Sequence, residues 1–96
     1  MPAYETVFAV PAAFSEEERA DSLKSVEDLI TAAGGEIGSV DEMGDKKMAY
    51  PVKKNEVAGY YCIHFSSPSS GIEGLTRHYR LDERYIRHII VKKEEG

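Results

Sequence analysis

Side chains alternate from the first residues, with Tyr4, Thr6, Phe8 and Val10 on one parity and Ala3, Glu5, Val7 and Ala9 on the other. A period of two with the larger apolar groups on one set predicts a half-buried strand, and Pro11 ends it. Ser15 followed by Glu16, Glu17 and Glu18 then has the form of a helix N-cap with a capping box. The three carboxylates also sit where the helix dipole is positive. Leu23, Val26, Ile30 and Ala33 recur at helical spacing, and Gly34-Gly35 supplies a left-handed stop, so the first helix is expected from Glu16 to about Ala33.

From Glu36 to Lys53 the pattern returns to strand, carried by Ile37, Val40, Met43, Met48, Tyr50 and Val52. Gly38 and Gly44 mark bends or bulges within it, and Pro51, which has no donor to give, places it at a sheet edge. A polar turn at Lys54-Asn55-Glu56 leads to a second strand, Gly59 to Phe65, completing a hairpin. Ser70 with Glu73 repeats the capping-box spacing ahead of Ile72, Leu75 and Tyr79, although Gly71 and Gly74 make this second helix dependent on packing. Tyr85 to Lys93 is a last strand, and Glu94-Glu95-Gly96 a frayed tail.

The order strand, helix, strand, strand, helix, strand contains two strand-helix-strand units. With right-handed crossovers these interleave into a ferredoxin-like α+β sandwich, a four-stranded antiparallel sheet with both helices on one face and the other face open. The 96 residues make one domain, spanning 1–96. Because this architecture hosts many activities, function has to come from particular residues.

At 42 % apolar and 30 % charged, the chain has the composition of an ordinary globular domain. No apolar run approaches a membrane span and the N-terminus has no secretory pattern, so a cytoplasmic location is expected. The net charge of −5 opposes nucleic-acid binding if taken alone. Its distribution alters that reading. Residues 1–45 hold eleven acids and two bases, whereas residues 46–96 hold ten bases and six acids. One face can then meet a polyanion while another repels it.

Catalytic chemistry finds little support. His64, His78 and His88 are scattered over a strand, a helix and another strand, without the close spacing of a zinc motif or an acid/base pair. The single cysteine, Cys62, is read as packing material between Tyr61 and Ile63. No phosphate-binding glycine loop or nucleophile elbow occurs, so no catalytic residue, cofactor or metal site is expected. The aromatic segment Gly59 to Phe65 is out of phase with the base-stacking signature of an RNA-recognition module. The basic residues offer another route. Arg80, Arg84, Arg87, Lys92 and Lys93 gather around the end of the second helix and the last strand. On that strand Arg87 shares a parity with Tyr85, Ile89 and Val91. If that parity faces outward, the open sheet carries an arginine among apolar groups, the composition of a binding surface.

The segment Gly44-Asp45-Lys46-Lys47-Met48-Ala49-Tyr50-Pro51-Val52-Lys53, the early Tyr4-Glu5 pair and the closing Ile86-Arg87-His88-Ile89-Ile90-Val91-Lys92 resemble the family of protein six of the bacterial small ribosomal subunit. The resemblance covers essentially the whole chain and is most specific around Ala49-Tyr50-Pro51. It implies the ferredoxin-like fold and a structural, non-enzymatic role. It also implies binding to the central domain of small-subunit rRNA together with ribosomal protein eighteen, on ribosomes in the cytoplasm. Tyr4, Tyr50, Arg87 and Lys92 then occupy positions of the family's binding and structural pattern. Met48 stands where leucine is usual, Val52 where isoleucine is usual, and Pro2-Ala3 where basic residues are common; the first two keep apolar character. Two other classes compete with this reading: an enzyme of the dimeric ferredoxin-like barrel type, with His64 or His88 lining a cleft, and a small-molecule-sensing domain. A deep pocket holding either histidine beside a carboxylate would favour the enzyme, and a shallow open sheet the ribosomal protein.

Overall fold

The computed structural model describes residues 1–93, so the Glu94-Glu95-Gly96 tail lies outside the described residues. Six elements follow in the expected order: β1 (Ala3–Pro11), α1 (Glu16–Ala32), β2 (Glu36–Val52), β3 (Asn55–Ser66), α2 (Ser70–Leu81) and β4 (Arg87–Lys93). The strands form one antiparallel sheet in the order β2-β3-β1-β4, which puts β2 at an edge, as its proline requires. Both glycines mark irregularities in β2, because its register against β3 shifts between Ile37 and Ser39 and again between Glu42 and Gly44.

Parity assigns the faces. Tyr4, Thr6, Phe8 and Val10 of β1 are all buried, joined by Tyr61, Ile63 and Phe65 of β3, Val26 and Ile30 of α1, and Leu75 and Tyr79 of α2. Phe8 sits at the centre, stacked on Tyr61 at 5.4 Å and met edge-on by Tyr85 at 5.2 Å. Complete burial of such a side chain is worth about 1.5–3 kcal/mol before aromatic geometry is considered. Polar groups inside this core are paired. Thr6 Oγ1 donates to the Ile89 carbonyl at 2.9 Å, so the 2.8 Å contact with Tyr79 has the tyrosine hydroxyl as donor. Tyr85 likewise donates to the Ser22 carbonyl at 2.6 Å and ties the segment before β4 to α1.

The helix termini follow the residues closely for α1 and less so for α2. Ser15 accepts from the Glu18 amide and Glu18 accepts from the Ser15 amide, completing the capping box. At the other end the amides of Gly34 and Gly35 donate to the carbonyls of Thr31 and Ile30, a Schellman motif that needs the left-handed backbone of Gly34 at φ +91°. The capping box expected of Ser70 and Glu73 does not form. Ser70 is already helical, and Ser69 is the N-cap without a side-chain bond. The Pro68 and Ser69 carbonyls take the Gly71 and Ile72 amides instead. The tight turn also lies earlier than Lys54-Asn55-Glu56, since Val52 pairs with Asn55 and the turn residues are Lys53 and Lys54, both at positive φ.

One parity expectation fails at β4. Tyr85 is only 3 % exposed and belongs to the core, because the strand begins at Arg87 and Tyr85 stands in the preceding turn, outside the strand period. His88 does face the helices and stacks on Tyr79 at 4.8 Å. A second, smaller core forms on the opposite side of the sheet from Ala9, Met48, Ala58 and Ile86, with Val52 and Tyr60 against it. Met48 thus brings the far end of the β2–β3 hairpin back onto the sheet.

Candidate nucleic-acid and partner interface

The sheet face away from the helices carries Ala3, Glu5, Val7 and Ala9 of β1 between Arg87, Ile89, Val91 and Lys93 of β4 on one side and Tyr60, Cys62, His64 and Ser66 of β3 on the other. Arg87 is exposed, and Ile89 and Val91 are 56 % and 45 % exposed. An arginine followed by two uncovered branched side chains on an edge strand is the composition expected from the pattern, now with its outward direction given by the fold. The depression beside Arg87, lined by Val7, Phe8, Tyr60, His88 and Ile89, has a volume of about 240 Å³ and is partly open to solvent.

The candidate binding residues divide into three situations. Tyr4 is buried and stacked on Phe65 at 5.6 Å, so its place is in the core and its ring is not available to RNA. Arg84 is half-buried and committed: its guanidinium donates to both Asp82 oxygens, to Oδ1 at 3.1 Å and to Oδ2 at 2.7 Å, and lies over the Tyr85 ring. That bond keeps the Asp82 carboxyl below its ordinary range and the arginine above its own. Arg80, Arg87, Lys92, Lys93 and Tyr50 are exposed. They do not form one cluster. Arg87 and Lys93 stand at opposite ends of β4, about 20 Å apart at the rise of an extended strand. Tyr50, 69 % exposed, lies on the hairpin arm with Lys46, Lys47, Lys53 and Lys54, all exposed and beyond or near the last β1 pairing at Pro11.

A cluster of acids occupies the other layer. Glu16, Glu17, Glu18, Asp21 and Asp28 are exposed on α1, on the helix side of the molecule. Of the two bases on α1, Lys24 is exposed and Arg19 is consumed internally. Arg19 donates to the Phe14 and Ala12 carbonyls and to Asp45 at 2.8 Å, stapling the start of α1 to β2 across Gly59, where a Cβ would come within 2.7 Å of the guanidinium.

Contrary to the reading of three isolated histidines, His64 has acidic company. Its Nε2 lies 3.6 Å from Glu5, 3.5 Å from Asp41 and 3.6 Å from Cys62 Sγ, and the thiol donates to Glu5 at 3.2 Å. Burial, reinforced by that carboxylate, pushes the Cys62 thiol up to about 11. Cys62 is therefore buried, as expected of packing material, but it is also hydrogen-bonded. The signal for this grouping was the i, i+2 spacing of Cys62 and His64, which puts both on one face; what the sequence lacked was the register that brings Glu5 and Asp41 opposite. His78 and His88 are held below their ordinary range mainly by burial, and among the described residues neither is paired with a carboxylate within ion-pair distance. No helix among the described residues is long and apolar enough to cross a membrane.

Comparison with known proteins agrees with the geometry of an open, shallow sheet. The sequence profile described as Ribosomal protein S6 matches residues 3–92. Small ribosomal subunit protein bS6 of Campylobacter lari is 41 % identical over 91 residues, covering 95 % of this chain and 73 % of that protein. The bS6 protein of Campylobacter concisus is 39 % identical over 94 residues, covering 98 % and 68 %. Among solved structures, 30S ribosomal protein S6 from Thermotoga maritima superposes with a TM-score of 0.90 at 29 % identity, over 96 % of this chain and 87 % of that one. These relatives are structural proteins and not enzymes, which disposes of the barrel-enzyme alternative. A full-length profile match, relatives near 40 % identity and the same six-element sandwich together establish that the chain belongs to the ribosomal protein S6 family.

Proposed function

We propose that this chain is a structural constituent of the small ribosomal subunit that binds the central domain of small-subunit rRNA jointly with ribosomal protein eighteen, on ribosomes of the bacterial cytoplasm. The observation that carries this reading is the exposed stripe of β4, where Ile89 and Val91 stand uncovered between Arg87 and Lys93. Phosphates have no use for two branched aliphatic side chains, whereas a protein partner does. The flanking cations reach RNA at the rim of such a contact, positioning the protein without reading bases. Net acidity fits this division of labour. With its free cations spread over two ends of β4 and a hairpin arm, and an acidic helix behind, the chain alone neutralises few phosphates and binds RNA weakly.

Filter-binding titrations of a central-domain rRNA fragment, with and without protein eighteen, test the reading. Affinity is expected to rise by at least about tenfold with the partner present. Ile89→Asp should remove that gain while leaving the weak RNA-only binding in place. Equal affinity in both titrations would overturn joint binding.

A further inference from the structure

Four side chains of metal-binding chemistry meet on the open sheet face. Glu5 on β1 stands opposite His64 on β3, and Asp41 on β2 stands opposite Cys62, so three adjacent strands supply the set through fixed ladder pairs. The separations between donor atoms are 3.2 Å for Sγ to Glu5 Oε1, 3.6 Å for Sγ to His64 Nε2, 3.6 Å for Nε2 to Glu5 Oε1, and 3.5 Å for Nε2 to Asp41 Oδ2. With zinc–sulfur bonds of about 2.3 Å and zinc–nitrogen or –oxygen bonds of about 2.0–2.1 Å, the edges of a coordination tetrahedron are about 3.4–3.6 Å. Glu5, Cys62 and His64 already stand near those separations, with their donor atoms all within 4.8 Å of one another, while Asp41 meets the group through His64 and its exposed carboxylate has to swing in to close the set.

We propose that Glu5, Cys62 and His64, completed by Asp41, form a binding site for a borderline-soft divalent cation, zinc above all. A thiolate and an imidazole discriminate against magnesium and calcium, which seek oxygen shells. Cys62 is 5 % exposed, so its sulfur is shielded, while Glu5 and His64 are about one-third exposed and Asp41 more so, leaving a route in from solvent. On binding, the Cys62 thiol gives its proton to solvent and Sγ bonds the cation. His64 contributes the Nε2 lone pair and so carries its proton on Nδ1. The carboxylates each contribute one oxygen, and no electron is transferred. The competing account is a hydrogen-bonded cluster with His64 between two carboxylates and no affinity for metal.

Titration of the reduced, full chain with cobalt(II) separates the two. The site is expected to take up one ion per chain with a thiolate-to-cobalt charge-transfer band and the visible bands of tetrahedral cobalt, both lost when zinc displaces it. Cys62→Ser should abolish the charge-transfer band, and His64→Gln or Glu5→Gln should weaken binding by more than about tenfold. Because His64 and Glu5 are partly exposed, these two variants keep the assay readable if the cysteine variant misfolds. Zinc should raise the Tm of the wild type and not that of His64→Gln. Absence of the charge-transfer band at millimolar cobalt, or affinity unaffected by His64→Gln, would overturn the site. An Asp41→Asn protein binding as tightly as wild type would remove Asp41 from it.

Discussion

Replacing Thr6 by valine keeps the shape of a fully buried side chain and deletes one hydroxyl, yet that hydroxyl joins three elements. It donates from β1 to the Ile89 carbonyl of β4 and accepts from Tyr79 of α2. In Thr6→Val the Tyr79 hydroxyl, on a residue 2 % exposed, loses its hydrogen-bond partner. An unmet buried donor costs about 1–3 kcal/mol, and the lost bond to Ile89 adds about 1 kcal/mol, so a total of about 2–4 kcal/mol is expected. In Tyr79→Phe the threonine still has the Ile89 carbonyl to donate to, and the cost should be about 1 kcal/mol. The double variant removes both ends of the Thr6–Tyr79 contact. Tyr79→Phe should then cost nothing, or restore stability, when made on Thr6→Val. Urea unfolding followed by far-ultraviolet circular dichroism, run as a double-mutant cycle, measures the coupling directly, expected at about 1–2 kcal/mol. In thermal melts Thr6→Val should lower Tm by about 10–20 °C for a domain of this size. Additivity within about 0.5 kcal/mol would refute the reasoning, by showing that the tyrosine hydroxyl finds another partner or that water reaches it.

Other expectations follow from backbone and burial. Gly35→Ala should destabilise by about 1–3 kcal/mol, because the added carbon falls 2.6 Å from the Ser66 carbonyl oxygen, whereas Gly74→Ala meets nothing within 4 Å and should stabilise α2 by about 0.5–1 kcal/mol; unfolding midpoints of the pair decide it. Lys53→Asn with Lys54→Gly should raise Tm, since both lysines hold positive φ of 49° and 67° at a cost of about 1 kcal/mol each that the new residues avoid. His88 is kept neutral by burial and by Arg80, so its folded pKa lies below the unfolded one and its contribution to stability is present above the unfolded value and lost as pH falls. Between about pH 7 and pH 5 the wild type should lose more stability than His88→Gln, as read from urea midpoints.

How much of this could be read from the residues alone depended on how local each feature is. The Ser15–Glu18 capping box, the Gly34-Gly35 stop and the alternation of β1 are decided within a few positions, and the structure has each where the pattern puts it. Ser70 misled because its spacing to Glu73 suits a cap, yet Pro68 and the chain before it start the helix one residue earlier. Tyr85 misled because period two was extended past the first paired residue of β4. Among the candidate interface residues, exposure of Arg87 was legible from its parity with Ile89 and Val91. The burial of Tyr4 followed from its own parity with Phe8 and stood against its inclusion. The capture of Arg84 by Asp82 is a two-residue contact that charge counting cannot separate from a free cation. The Glu5–Asp41–Cys62–His64 grouping needs register between strands some sixty residues apart, which no periodicity within one strand conveys.

The position of β1 in the middle of the sheet has a kinetic side. This strand is made well before its partners, which are β3, where Ala3 meets Ser66, and β4, where Ala3 meets Lys93. At about 5–20 residues per second the strand waits several seconds for either neighbour, with Phe8 and Val10 unburied. The β2–β3 hairpin, whose turn closes over two residues, is free to form in that interval. A high proportion of distant pairings also slows collapse onto the final sheet. A nascent chain of this protein therefore exposes the apolar face of β1 until β3 has been made, and that interval is when chaperones have most to hold.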